Sequence, residues 1–202
     1  MSTVPSPTDL TLPPELLARL RRCYAEPHRH CHSLAHVEAL QRWFAQHHAI
    51  AREPALIDAA IWFHDAVYDA RRQDNEPRSA TMAAEELGAL GWRSEAVERV
   101  AMLVLATQQH QADPFDADAW LFLDLDLSVL GQSAAHYAAY ADAVRAEYAW
   151  VDDGAYRSGR ARVLQGFMAR ERIYRTPVLY EAWEATARHN LQAELAALSL
   201  AD

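Results

Sequence analysis

The strongest constraint on this chain is the repetition of helix-start chemistry ahead of segments whose apolar residues return every three or four positions. Pro13-Pro14 opens a first helix running to about Tyr24, since a proline at the first helical position lacks only an N–H that has no helical partner there. Ser33 is the expected N-cap of SLAHVEALQRWFAQHH, in which Leu40, Trp43, Phe44 and His47 recur at helical spacing. Pro54 begins the next helix, with Leu56, Ala60, Phe63 and Val67 along one face. Asp74 or Asn75 caps a helix ending near Gly91, and Ser94 caps SEAVERVAMLVLAT. Trp120–Leu130 is read as a helix stopped by Gly131, and Ser133 starts another through Tyr148. Asp153-Gly154 punctuates the chain before Arg157–Arg170, and Thr176-Pro177 opens a terminal helix ending near Leu198. Strand patterns are almost absent. The expectation is all-α: a single-domain bundle of about nine helices over residues 11–202, behind a flexible N-terminus, 1–10.

Composition narrows the classes. With 51% hydrophobic and 23% charged residues, 202 residues can bury a sizeable core, which argues against disorder. The longest apolar runs, such as Ala101–Ala106, fall far short of the roughly 20 residues of a membrane span, so no membrane partner is expected. MSTVPSPTDLTLPPE lacks the basic start and apolar stretch of a secretion signal, and two cysteines make no disulfide framework; a cytoplasmic location is expected. The net charge is −9 and no dense basic block exists, which speaks against a long nucleic acid as partner. The six tryptophans, Trp43, Trp62, Trp92, Trp120, Trp150 and Trp183, are read as core, and Arg157, Arg160 and Arg162 as a solvated helix face.

Polar residues inside apolar runs point to chemistry. His36 shares a helical face with Leu40, Trp43 and His47; His64-Asp65 closes AAIWFHDAVY; Asp124 and Asp126 sit within WLFLDLDLSVL. Charges in such runs need partners, because an unpaired buried charge costs several kcal/mol. A divalent cation shared by several helices is one such partner. Imidazole and carboxylate together suit Zn, Mn, Fe, Ni or Co, and a carboxylate-rich site with water suits Mg.

At these residues the sequence resembles the HD superfamily of metal-dependent phosphohydrolases, whose signature H…HD…D lies on separate helices. Further segments, EPHRHCHSLAHV, WFHDAVYD followed by DNEPRSA, LATQQH and FLDLDLSVLG, resemble an uncharacterised bacterial branch of predicted HD-domain hydrolases, over roughly residues 20–195. The resemblance implies one divalent metal ion held by His36, His64, Asp65 and Asp126. Asp124 and Asp126 stand about 200° apart on a helix, so both cannot face one ion, and the resemblance selects Asp126. It implies hydrolysis of a small phosphate ester, such as a nucleotide, by a water whose pKa the metal lowers to roughly 7.

The remaining site candidates follow from chemistry near those ligands. His110 is a proton-transfer candidate or an ordinary loop histidine. Asp69 and Glu76, with Asp74, are candidates for a general base, against a reading as helix-terminus carboxylates. Arg29 is a candidate phosphate clamp, since a guanidinium grips phosphate through two parallel hydrogen bonds, against a reading as an ion-pair residue. His32 is an alternative ligand to His36. Two rivals stay open: a metal-dependent oxygenase or lyase on the same scaffold, and a non-catalytic nucleotide-binding or regulatory module. Oligomeric state is not legible in the sequence.

Overall fold

Proline and short polar caps set the helix starts. In the computed structural model, which describes residues 10–200, α1 (Pro14–Tyr24), α3 (Pro54–Phe63) and α9 (Pro177–Leu200) all begin on a proline. Between them run α2 (Leu34–His47), α4 (Asn75–Ala89), α5 (Ser94–Ala106), α6 (Ala117–Asp126), α7 (Ala134–Glu147) and α8 (Asp153–Met168). Single 3₁₀ turns, His48–Ile50 and Leu127–Gly131, extend α2 and α6. The described residues contain nine α-helices and no strand, as the sequence led us to expect. The N-terminal stretch expected to be flexible lies, apart from Leu10, outside the described residues. Among the described residues no helix is long and apolar enough to cross a membrane.

Several local expectations shift. Ser33 occupies the N-cap of α2 without making a side-chain cap bond, whereas Ser133 and Asp152 both accept N–H groups from the first turns of α7 and α8. Asp153-Gly154 therefore starts α8 instead of breaking the chain ahead of it. The Trp120–Leu130 segment is α-helical only to Asp126 and then tightens. Val67 does not continue the face of α3, which ends four residues earlier. Gly91 stops α4 at a φ of 79°, a left-handed conformation that glycine adopts without Cβ strain.

By packing, the chain divides into two units, Met1–Leu123 and Asp124–Asp202, with the boundary inside α6. In the first unit α3 packs against α1, α2, α4 and α5. That central place explains its composition: from Leu56 to Phe63 every residue except Asp58 is buried. Both ends of α3 are tied by distant side chains. At its start the buried carboxylate of Asp118 accepts the backbone N–H groups of Arg52 and Glu53, at 2.7–3.1 Å. It satisfies donors that no local side chain caps.

In the second unit the Leu127–Gly131 turn packs on α9 and α7, and α8 packs on α9. Gly131 is required there by closeness: a Cβ would lie 2.4 Å from Cβ of Trp183. Asp124 is almost fully buried and accepts the N–H groups of Arg175 and Thr176 just before α9. Burial pushes its carboxyl up to about 6, against the pull of those donors. Arg160 departs from its expected solvated face: it is buried and makes two bonds to Glu194, which also accepts the Tyr137 hydroxyl. Trp150 departs from the core reading; it is 51% exposed and stacks on Tyr148.

Candidate metal centre

The site grows from the C-terminal end of α3. His64 keeps the helical register, its N–H bonding to the carbonyl of Ala60 at 2.9 Å. The next residue leaves it. In a continuing helix the Asp65 N–H would donate to the carbonyl of Ile61. Instead that carbonyl lies 2.9 Å from His64 Nδ1, and the Asp65 N–H donates to the hydroxyl of Tyr24 at 3.2 Å. The Tyr24 hydroxyl in turn donates to the carbonyl of Trp62, at 3.1 Å. Ala66 closes a tighter turn onto Phe63.

Downstream of Asp65 the backbone is irregular yet well satisfied. Ser79, fully buried on α4, accepts the Val67 N–H and donates to the Val67 carbonyl. Asn75 exchanges the same pair of bonds with Asp69. These reciprocal bonds do for this segment what a helix would otherwise do.

The turn lets adjacent residues converge. His64 Nε2 lies 3.1 Å from Asp65 Oδ2 and 3.2 Å from His36 Nε2 on α2. The three donor atoms belong to one cluster in which all lie within 4.8 Å of each other. His64 is buried, with the edge of its ring toward Phe122, and His36 is half-buried. A carbonyl can only accept, so the Ile61 contact puts the proton of a neutral His64 on Nδ1. Its Nε2 lone pair then faces a carboxylate and a second imidazole, where either a proton donated by His36 Nε2 or a bound cation would satisfy it.

A divalent ion fits these dimensions. Nitrogen and oxygen ligands about 2.1 Å from a metal are separated by about 3.0 Å in octahedral and about 3.4 Å in tetrahedral geometry. The observed 3.1 and 3.2 Å lie between them. A ring N–H donated to a backbone carbonyl is also the usual way a ligating histidine is oriented.

The other expected site residues are placed as follows. Asp126 is the last residue of α6, half-buried, in the second unit. His110 follows α5, half-buried, at a φ of 48°. Asp69 is exposed, and its carboxylate accepts the Arg71 N–H in its own turn, which is a turn-stabilising role. Glu76 stands in the first turn of α4, where a carboxylate complements the helix dipole.

Arg29 makes the ion pair considered from sequence, with Glu26, but it is buried and not a free phosphate clamp. It is 6% exposed, and its guanidinium donates to the carbonyls of Asp65 (2.5 Å), Ala66 (3.1 Å) and His32 (3.4 Å) and to the Glu26 carboxylate (2.9 Å). It also lies over the rings of Tyr24 and Tyr68. Four of its five donors are thereby engaged within the protein, which leaves no fork for a phosphate. Sequence reasoning missed Tyr24, Asn75 and Ser79 as supports of the site. Asn75 and Ser79 both lie in the DNEPRSA segment, where Asn75 read only as a helix cap and Ser79 was given no role.

No family model, curated protein or solved structure matches this chain.

Proposed function

We propose that this protein is a metal-dependent phosphohydrolase of the HD type, acting on a small phosphate ester such as a nucleotide. The observation that carries the reading is the cluster of His36, His64 and Asp65, in which His64 Nε2 lies 3.2 Å from His36 Nε2 and 3.1 Å from Asp65 Oδ2. Asp126 enters as a fourth ligand through the H…HD…D motif alone, and its substitution tests it separately. A bound divalent ion would supply Lewis-acid polarisation of a phosphoryl oxygen and an acidified water. The chain's own part is to present its two imidazoles and its carboxylate to that ion. The bond from His64 to Ile61 fixes the tautomer that leaves Nε2 available. His110 is the candidate for moving a proton to the leaving group.

The test is hydrolysis of a panel of nucleotides and simple phosphate esters by purified protein, supplied in turn with Mg, Mn, Co, Ni, Zn and Fe(II). Metal-dependent phosphate release that Asp65→Ala abolishes is the expected result; none with any metal would defeat the proposal.

A second reading has one observation in its favour. Two histidines and one carboxylate are also the donor set that holds Fe(II) in oxygenases. Oxygen uptake by the Fe(II)-loaded protein, without phosphate release, would favour it.

A further inference from the structure

Two adjacent residues on a regular helix point about 100° apart, and His64 keeps helical dihedrals, so bringing its Nε2 and the Asp65 carboxylate together depends on how the Asp65 backbone is held. We propose that Tyr24 and Arg29 are positioning residues, which take the place of the next turn of α3 and thereby make the His64-Asp65 pair a chelate. The inference rests on the metal-centre reading given above.

The argument follows the hydrogen bonds. A further helical turn needs the carbonyl of Ile61 for the Asp65 N–H, and the carbonyls of Asp65 and Ala66 for N–H groups four residues on. Each is diverted. Ile61 holds the His64 ring, while the Tyr24 hydroxyl takes the Asp65 N–H. The Arg29 guanidinium takes the carbonyls of Asp65 and Ala66 together, one on each terminal nitrogen. A planar fork suits two successive carbonyls in a way an ammonium cannot.

Tyr24 and Arg29 are held in turn. The Tyr24 hydroxyl is fixed by its bond to the Trp62 carbonyl, and its ring is buried beneath the guanidinium. Tyr68 flanks the guanidinium as well, and its carbonyl lies 3.0 Å from His28 Nε2, so both His28 and Arg29 bind the turn from the same short loop. The helix thus ends where it does because side chains outside it compete for its last hydrogen-bonding groups. The same competition sets the direction of the Asp65 carboxylate.

The experiment titrates the metal-stripped full-length protein with Co²⁺, reading affinity and visible absorption, whose ligand-field bands report coordination geometry independently of turnover. Tyr24→Phe removes one hydroxyl, and Arg29→Lys keeps the charge but loses the fork. Both should weaken Co²⁺ binding by roughly ten- to a hundred-fold and alter the spectrum, as loss of an outer-shell partner does. Free guanidinium at low concentration should restore part of the affinity of Arg29→Ala. Asp118→Ala, which loosens the opposite end of α3, serves as a stability control and should lower the melting temperature with the spectrum kept. Wild-type affinity and spectrum in both Tyr24→Phe and Arg29→Lys would overturn the inference while leaving the metal centre standing. If Arg29→Lys does not fold, Tyr24→Phe decides alone. A wild-type protein that takes up no Co²⁺ would overturn both proposals together.

Discussion

His64 Nδ1 lies 2.9 Å from the carbonyl of Ile61, the acceptor that an unbroken helix would have offered to the N–H of Asp65. One contact therefore orients an imidazole, fixes its tautomer and frees the following peptide from the helix. Its consequences, and those of the side chains that tie α3 and α9, can be measured.

Metal content should follow the donor cluster. Elemental analysis of purified wild type should find about one divalent ion per chain, with most of it lost in Asp65→Ala. Asp126→Ala should lose much of it as well, and full retention there would remove Asp126 from the ligand set. Asp124→Ala should retain more, because the Asp124 carboxylate is bound to the N–H groups of Arg175 and Thr176. Equal metal in wild type and Asp65→Ala would remove the assigned centre.

Asp118 should matter to stability alone. Its carboxylate is the acceptor for two N–H groups at the start of α3, so Asp118→Ala should cost about 1–3 kcal/mol in urea unfolding. Asp118→Asn keeps one acceptor oxygen and should cost less. No loss in Asp118→Ala would mean that those donors find other partners.

The buried Asp124 sets a pH dependence whose sign runs opposite to that of most paired carboxylates. Its carboxyl is raised to about 6 in the folded chain by burial, against about 3.9 when unfolded. Between those values the folded state binds more protons than the unfolded one, so this group's contribution to stability falls as pH rises from about 4 to 6. The fall is at most roughly 3 kcal/mol. Unfolding free energies measured at several pH values should show that component in wild type and not in Asp124→Asn. Parallel curves for the two proteins would rule it out.

Proton transfer is tested at His110. With a confirmed substrate, His110→Gln should lower kcat without a matching rise in KM, because the lost interaction acts mainly in the transition state. Wild-type kinetics in that variant would send the search for the proton donor elsewhere.

Helix identity was decided by the sequence. Pro14, Pro54 and Pro177 at first helical positions, Ser133 as a cap, and Gly91 at a left-handed stop act within a few residues of themselves. Local steric and hydrogen-bonding preferences of that kind are readable without knowing the fold. The residues of the candidate metal centre stood out for a similar reason, since His64 and Asp65 interrupt an apolar run that must be buried. What the tertiary structure alone decided is how these groups meet. His36 and His64 are 28 residues apart in sequence and 3.2 Å apart in space. Arg29, which the sequence offered as a phosphate ligand or an ion-pair residue, holds the carbonyls of Asp65 and Ala66. Periodicity cannot foresee either, because it assumes the helix continues, and this one ends where Tyr24 and Arg29 from another part of the chain take over its hydrogen bonds.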